Sequence, residues 1–413
     1  MLVTFILSAF ALLSFGLLLW QFVAAQRFPL HARVQDDSFA PGITILKPLK
    51  GFDEHTAECL RSWLTQKYRG PVQILFGVAD ADDPVVFLVR DLLKEFPAVD
   101  AELILTPESL GPNGKVANVA QLSRHAKHPL LCLADADVRA PDDLLANLAA
   151  PLRDSGIGLI NCFYRLANPS TPAMRWEAVA VNADFWSQVL QSNTLKPQDF
   201  ALGAAMLTRR EVIEKIGGFE SLLEYLADDY QLGHRIVQSG FRVELSTVVV
   251  ECWDKPMGFR AVWNHQLRWA RTIRVSEPAR YFLSILSNAT LWAALLALFG
   301  HLGGFPLVPD SLLYGGTLSP RMQNALSPIH VPWVLVAFAV VLGVRVVIAA
   351  SLQQRLHGAC GARRQGWFVL LKDFLGVAIW AAAFLGNTIE WRGTKMRLTH
   401  GGKLEPLEMD GGD

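Results

Sequence analysis

Apolar residues fall into two patterns along this chain. Toward the ends they run almost unbroken, over Leu2–Ala25, Tyr281–Leu302, Val331–Leu352 and Gly366–Ile389. Each run has the length a helix needs to cross a bilayer, about 20 residues. Between Pro41 and Asp254 the apolar residues come instead in short bursts separated by amphipathic stretches. Bursts at Ile43–Lys47, Val72–Ala79, Ala101–Leu105 and Leu130–Leu133 predict strands. The stretches Glu54–Gln66, Pro84–Glu95 and Val116–Arg124 predict helices. Strands alternating with helices of this length predict right-handed βαβ units in a parallel sheet. Farther on, Ile157–Phe163 predicts a strand, Met174–Gln191 one long helix and Gly203–Met206 the start of a short strand. A helix is expected to begin within Glu224–Tyr230 and run to Ser239, followed by a β-branched strand over Phe241–Glu251. The expected fold is α/β. A Rossmann-like, mostly parallel sheet occupies 41–255, after a membrane anchor over 1–27 and a polar linker at His31–Ala40. An amphipathic helix over 256–280, membrane helices over 281–390 and a tail over 391–413 complete the chain.

Composition sharpens this picture. The 413 residues carry zero formal net charge and are 51% hydrophobic, a high fraction for a soluble enzyme. That balance gives no footing for a nucleic-acid partner. The first apolar run exceeds the roughly 7–15 residues of a signal-peptide core and no basic residue precedes it, so it reads as an anchor. Arg27 and Arg33 follow it and place the next segment in the cytoplasm. Gly303–His330 is nearly uncharged and reads as non-cytoplasmic, whereas Arg355, Arg363 and Arg364 mark a cytoplasmic loop. If every run crossed fully, the tail with Arg392, Lys395, Arg397 and Lys403 would land outside, against its basic character. Gly366–Ile389, interrupted by Lys372 and Asp373, is therefore the run expected to be re-entrant or interfacial. Cysteines 59, 132, 162, 252 and 360 form no C-x-x-C pair and read as free thiols.

The chemistry begins where the strand Leu130–Leu133 stops and ejects Asp135 and Asp137, just before Pro141, Asp142 and Asp143 open a helix. Carboxylates at i and i+2 can converge on Mg²⁺ or Mn²⁺, which takes one or two such oxygens plus substrate phosphates. The plainer reading of a bare D-x-D is helix capping with spare charge. Lys47 and Lys50 end the first strand, where they read as solvated lysines unless a donor engages Lys47. Asp80, Asp82 and Asp83 end the second, as acceptors for a nucleobase N–H or ribose hydroxyl, or as caps ahead of Pro84. The loop Gly111-Pro112-Asn113-Gly114-Lys115 offers a cation before a helix carrying Asn118. Asp228 and Asp229 start a later helix, where the dipole favours acids and where one could act as a general base. Met257–Arg274 sets Arg260, Asn264, Arg268 and Arg271 on one side and Phe259, Val262, Trp263 and Leu267 elsewhere, as an interfacial helix would.

Taken in order, the strand-end acids, D-x-D, the paired acids and the R-W pair resemble the family-2-like inverting glycosyltransferases of GT-A fold. Lys47-Pro48-Leu49-Lys50-Gly51, the Asp80–Pro84 run, and Gly217-Gly218-Phe219 followed by Tyr225–Tyr230 narrow the resemblance to ceramide glucosyltransferases. Bacterial hopanoid glycosyltransferases look like close relatives. The resemblance implies a UDP-sugar donor, glucose or N-acetylglucosamine, and a ceramide or hopanoid acceptor. It implies a multi-pass membrane enzyme, in a bacterial inner membrane with its catalytic domain in the cytoplasm. It further implies that Asp83 with Asp80 holds the uridine, that Asp135 helped by Asp137 holds the metal, and that Asp229 is the base. Arg268 and Trp269 match the end of the family's Q/R-x-x-R-W motif, but His265, beside Gln266, stands at its first position. Two rivals remain: a processive polysaccharide synthase, which needs a larger bundle of spans, and a non-enzymatic nucleotide-sugar-binding membrane protein.

Overall fold

The computed structural model describes residues 2–302, 333–358, 366–391 and 394–407. Helix α1 (Leu2–Arg27) precedes a strict alternation of β1 (Ile43–Leu49), α2 (Thr56–Leu64), β2 (Val72–Val78), α3 (Val85–Glu95), β3 (Asp100–Leu105), α4 (Gly114–Ser123) and β4 (Leu130–Ala134). Then come β5 (Val138–Arg139), α5 (Leu144–Ala149), β6 (Ile157–Leu166), α6 (Pro172–Val179), α7 (Trp186–Asn193), β7 (Ala205–Arg209), α8 (Arg210–Lys215), α9 (Asp228–Gln238) and β8 (Arg242–Cys252). These strands form one eight-stranded sheet in the order β3-β2-β1-β4-β7-β6-β8-β5. The first four are mutually parallel, as are β6 and β8, while β7 runs antiparallel to both of its neighbours. Every residue of β1 is buried. Its alternation divides the core: Ile43 and Ile45 pack with Ile74, Phe76 and Cys132 on one face. Leu46 packs with Leu75, Leu131 and Leu133 on the other. Helices on both faces explain why these strands read as continuous apolar bursts.

One predicted helix differs from the expectation, and a second is bounded by contacts outside it. Met174–Gln191 is not one regular helix, because a π-helical stretch, Ala180–Phe185, separates α6 from α7. In this wide stretch Asn182 exchanges hydrogen bonds with the backbone of Leu166, and Asp184 is drawn toward Arg345. Helix α9 starts at Asp228, within the expected stretch Glu224–Tyr230. The backbone before it is committed elsewhere: Leu404 N–H donates to the Glu224 carbonyl at 2.7 Å and Leu226 N–H to that of Gly402 at 3.2 Å.

The hydrophobic half departs further. After α10 (Phe259–Ser276), the run from Tyr281 is broken into α11 (Pro278–Leu283), a 3₁₀ turn and α12 (Ala289–Leu302). The bend is 57°, and Asn288 makes it by capping Leu291 N–H with its carbonyl while its amide donates to the Asp373 carbonyl. Helix α13 (Trp333–His357) is regular. Helix α14 (Phe368–Ala383) has 16 residues, about 24 Å at 1.5 Å per residue, against a hydrocarbon core of about 30 Å. Among the described residues two helices are long and apolar enough to span a bilayer, or three if the bent pair counts as one. Among the described residues at most three passages therefore meet that test, and the run with Lys372 and Asp373 is the short one. The expected tail is instead a three-stranded sheet, β9 (Thr388–Trp391), β10 (Thr394–Leu398) and β11 (Leu404–Pro406), in the order β11-β10-β9. Lys403 pairs with Glu224 at 2.6 Å, so this sheet lies on the same side as the large one. Gly303–His330, Arg363, Arg364, Arg392 and Cys360 fall outside the described residues. Cys59, Cys132, Cys162 and Cys252 are buried free thiols.

Candidate active site

The loops after β2, β1 and β4 open side by side, because these parallel strands are neighbours in that order. Open α/β sheets bind ligands at such carboxyl ends. Asp135 N–H donates to the Ala204 carbonyl at 3.2 Å, tying the D-x-D turn to the approach to β7. Lys47 is fully buried in β1, and its ammonium donates to the Asp135 carbonyl while lying 4.8 Å from the Trp63 ring centroid. Burial lowers its pKa to about 8. The solvated reading of this lysine is thus corrected, since it supports the turn from beneath. Asp83 is occupied too: one oxygen accepts from Gly51 N–H at 2.8 Å and the other from Val85 N–H at 2.9 Å. It joins the loops after β1 and β2, which is the capping alternative. Asp80 and Asp82 are exposed on the same loop, and Asp80 accepts from Asp82 N–H at 3.0 Å.

Across from β4 stands Lys115, in the first turn of α4. Its ammonium lies 2.7 Å from Asp135 and 3.2 Å from Asp228. Burial works against that charge, but Asp135 and Asp228 outweigh it and raise the lysine pKa. Asn113, fully buried, fixes this turn: its oxygen accepts from Lys115 and Val116 N–H, and its amide donates to the Tyr225 carbonyl at 2.7 Å. Asp229 differs from its neighbour. It accepts a hydrogen bond from Tyr230 N–H at 2.7 Å and packs on Gly203, where an added Cβ would sit 2.8 Å from its Oδ2. Burial and then the Asp228 charge push its pKa up to about 6. Consecutive helical residues point about 100° apart, so the two acids serve different neighbours.

The R-W helix closes the third side. Glu177, 1% exposed on α6, accepts from Gln266 at 2.9 Å and pairs with His265 Nδ1 at 2.6 Å. His265 meets the edge of Trp269 with ring centroids 4.8 Å apart, and Trp269 leans on Phe185 of the π-helical stretch. Arg268 lines a groove between α10 and the C-terminal sheet. Sequence reasoning missed Asn113, Gly203 and Glu177. Only Glu177 left a signal, as an acid between Trp176 and Ala178 in an otherwise apolar helical turn.

Among the described residues no group of three or more His, Cys, Asp or Glu side chains could hold a metal by itself. Mg²⁺ and Mn²⁺ at nucleotide sites need only one or two carboxylates. Asp137 fits that requirement: burial, then the charges of Asp135 and Asp254, push its pKa up to about 7. A divalent cation beside Asp135 and Asp137 would relieve this crowding of carboxylates.

Glycosyl transferase family 21 matches the chain over residues 4–313 and 316–404. Ceramide glucosyltransferase 3 of Caenorhabditis elegans is 22% identical over 387 residues, covering 92% of this chain and 78% of that protein. Ceramide glucosyltransferase of Candida albicans is 39% identical over 124 residues, covering 27% of this chain and 23% of its own length. A mannosyltransferase from Pyrobaculum calidifontis, solved with GDP-mannose and Mn²⁺, superposes with a TM-score of 0.52 at 20% identity, covering 92% of this chain and 98% of that one. It shares the fold. With the family matched along nearly the whole chain, this protein belongs to glycosyl transferase family 21 and is a glycosyltransferase of GT-A fold.

Proposed function

We propose that the enzyme transfers a hexose, glucose or N-acetylglucosamine, from a UDP-sugar to the hydroxyl of a membrane lipid, a ceramide or a hopanoid, giving a β-glycolipid. The observation that carries this is the division of labour between two adjacent acids. Asp228 pairs with Lys115 at 3.2 Å, whereas Asp229 forms no ion pair among the described residues, and its burial beside Asp228 raises its pKa to about 6 even though the more distant Lys115 charge opposes the shift. A general base works best with a pKa near the working pH. Asp229 accepts the proton of the acceptor hydroxyl as that oxygen attacks the anomeric carbon. The bond from that carbon to the β-phosphate oxygen breaks, and the electron pair leaves with UDP. One displacement with no enzyme nucleophile inverts the centre. Asp135 and Asp137 would hold Mg²⁺ or Mn²⁺, which would supply positive charge to the leaving diphosphate. Lys115 and Arg268 add positive charge, Asp80 and Asp82 face the nucleoside, and Asp83 with Lys47 shapes the loops that receive it. Trp269, His265 and Gln266, held by Glu177, form the acceptor side.

The relatives named ceramide glucosyltransferase support glucose and ceramide. Two span-length helices and the amphipathic α10 support a lipid reached at the membrane surface. Arg27 at the end of α1 supports placing the large sheet in the cytoplasm, and the setting proposed for the enzyme is a multi-pass protein of a bacterial inner membrane. Mass spectrometry of lipids from cells expressing the chain, with membranes supplied each UDP-sugar in turn, tests the reading. A new hexosyl lipid is expected with one donor. Transfer only to soluble sugars would reject it.

A further inference from the structure

Between α10 and the C-terminal sheet lies a cavity of about 220 Å³. That is below the roughly 300–1,000 Å³ of sites that enclose a whole small ligand, so it suits a headgroup. Leu267 and Ile389 give it apolar walls, while Arg271 and Lys395 set two cations against the carboxylate of Glu390, with Arg268 also in the lining. Arg271 donates to the Thr388 carbonyl, and Arg274, one turn on, donates to Asn387 and to the Gly386 carbonyl. The Nε atoms of Arg271 and Arg274 are sealed from solvent, and neither has a hydrogen-bond partner among the described residues. Two guanidinium groups packed together with unused donors are short of an anion. Burial, and then Arg274, push the Arg271 pKa down, as expected for a cation lacking counter-charge.

The surroundings indicate which anion. Ile273, Phe282, Leu283, Phe384 and Leu385 are exposed large apolar residues beside these arginines, Leu385 to 86%. The Arg274 guanidinium lies 5.6 Å from the Phe384 ring centroid, and Phe282 meets Phe384 at 6.4 Å. A basic pocket near exposed aromatic and aliphatic side chains has the composition that suits the headgroup region of a bilayer. We infer that this cavity binds the phosphate of an anionic phospholipid headgroup and so seats α10 and the C-terminal sheet on the bilayer. Apart from Arg268, its lining takes no part in the proposed reaction, and the site does not depend on which lipid is glycosylated.

The shared chemistry is a phosphate anion, which a phospholipid or UDP could supply. The full chain, reconstituted in nanodiscs of phosphatidylcholine with a minor fraction of phosphatidylglycerol, separates them when retained lipids are counted by native mass spectrometry. Phosphatidylglycerol should be enriched around the protein, and Arg271→Gln or Lys395→Gln should cut its retention about fivefold, as loss of one cation near a lipid surface predicts. Arg271→Lys should keep most of it. Lys395 is exposed, so its substitution leaves the fold intact even where Arg271→Gln does not. Saturating UDP should displace nothing. Retention unchanged in both glutamine variants overturns the site, and displacement by UDP assigns it to the nucleotide instead.

Discussion

Asp228 and Asp229 differ by one position and entirely by their company. Asp228 shares Lys115 with Asp135, and Asp229 rests against Gly203. Asp229→Asn should lower kcat by about 10²–10⁴, the usual worth of a general base, with UDP binding by calorimetry nearly unchanged. The same variant should melt no lower than the native chain at pH 7. A carboxyl whose folded pKa lies above its unfolded value favours folding when protonated, and it loses that contribution as pH rises from about 4 through about 6. Activity has the opposite sign, because the base must be ionised: kcat should rise with pH through about 6. Asp228→Asn removes a charge that raises this pKa, so the acid limb of the profile should move to lower pH. An unmoved limb would separate the two acids and remove Asp229 as the titrating group. For the metal, excess EDTA should abolish turnover and Mg²⁺ or Mn²⁺ should restore it, whereas Asp135→Asn should not recover with added metal. Full activity in chelator would reject the D-x-D assignment. The D-x-D and the paired acids were legible in sequence because charge at the end of an apolar strand or at a helix start has few explanations. Gly203 and Asn113 were not, since one matters only through close approach and the other through a loop 112 residues away.

At the scale of elements, the segment from α6 through α7 acts as a beam. Near one end Glu177 grips His265 and Gln266; farther along, Asp184 is gripped by Arg345, and Phe185 beside it touches Trp269 and Tyr164. Glu177→Gln keeps the shape but removes the charge that both partners face. Hydrogen bonds to a charged group are worth about 1.5–3 kcal/mol, so thermal unfolding should fall by several degrees. If Glu177 also orients the acceptor side, KM for lipid should rise more than KM for UDP-sugar. Equal changes in both would confine it to stability. Periodicity announced the beam but not its π-helical stretch, because side-chain hydrogen bonds to Leu166 and Arg345 widen the turn and neither partner is local. Glu224 and Leu226 stay outside α9 for a related reason. Both have acceptable helical sequence, yet their backbone groups pair with residues near 402–404.

For the whole molecule, the joint between the sheet domain and the hydrophobic helices is ionic. Arg345 of α13 makes two hydrogen bonds to Asp184, at 2.7 and 3.0 Å, and two to Asp373 of α14, both at 2.9 Å. Lys372 pairs with the same two acids, and Thr290 of α12 donates to Asp373. Two acids and two bases cancel, which is how charge survives beside apolar helices. Sequence reasoning took Lys372 and Asp373 as a reason to doubt that their run crosses the bilayer. It did not see the partner on α13 or the one in the sheet domain, since neither lies within helical reach. Arg345→Met leaves Asp184 and Asp373 sharing one lysine, and breaking a buried pair by removing one partner costs about 3–5 kcal/mol. The single variant should therefore melt well below the native protein in detergent. Adding Asp184→Asn, which restores neutrality between Lys372 and Asp373, should recover a substantial part of that loss. Arg345→Lys should fall between, keeping the charge but losing the fork that spans both acids. A single variant that melts with the native chain, or a double variant no better than the single, would show that packing rather than charge joins the two halves.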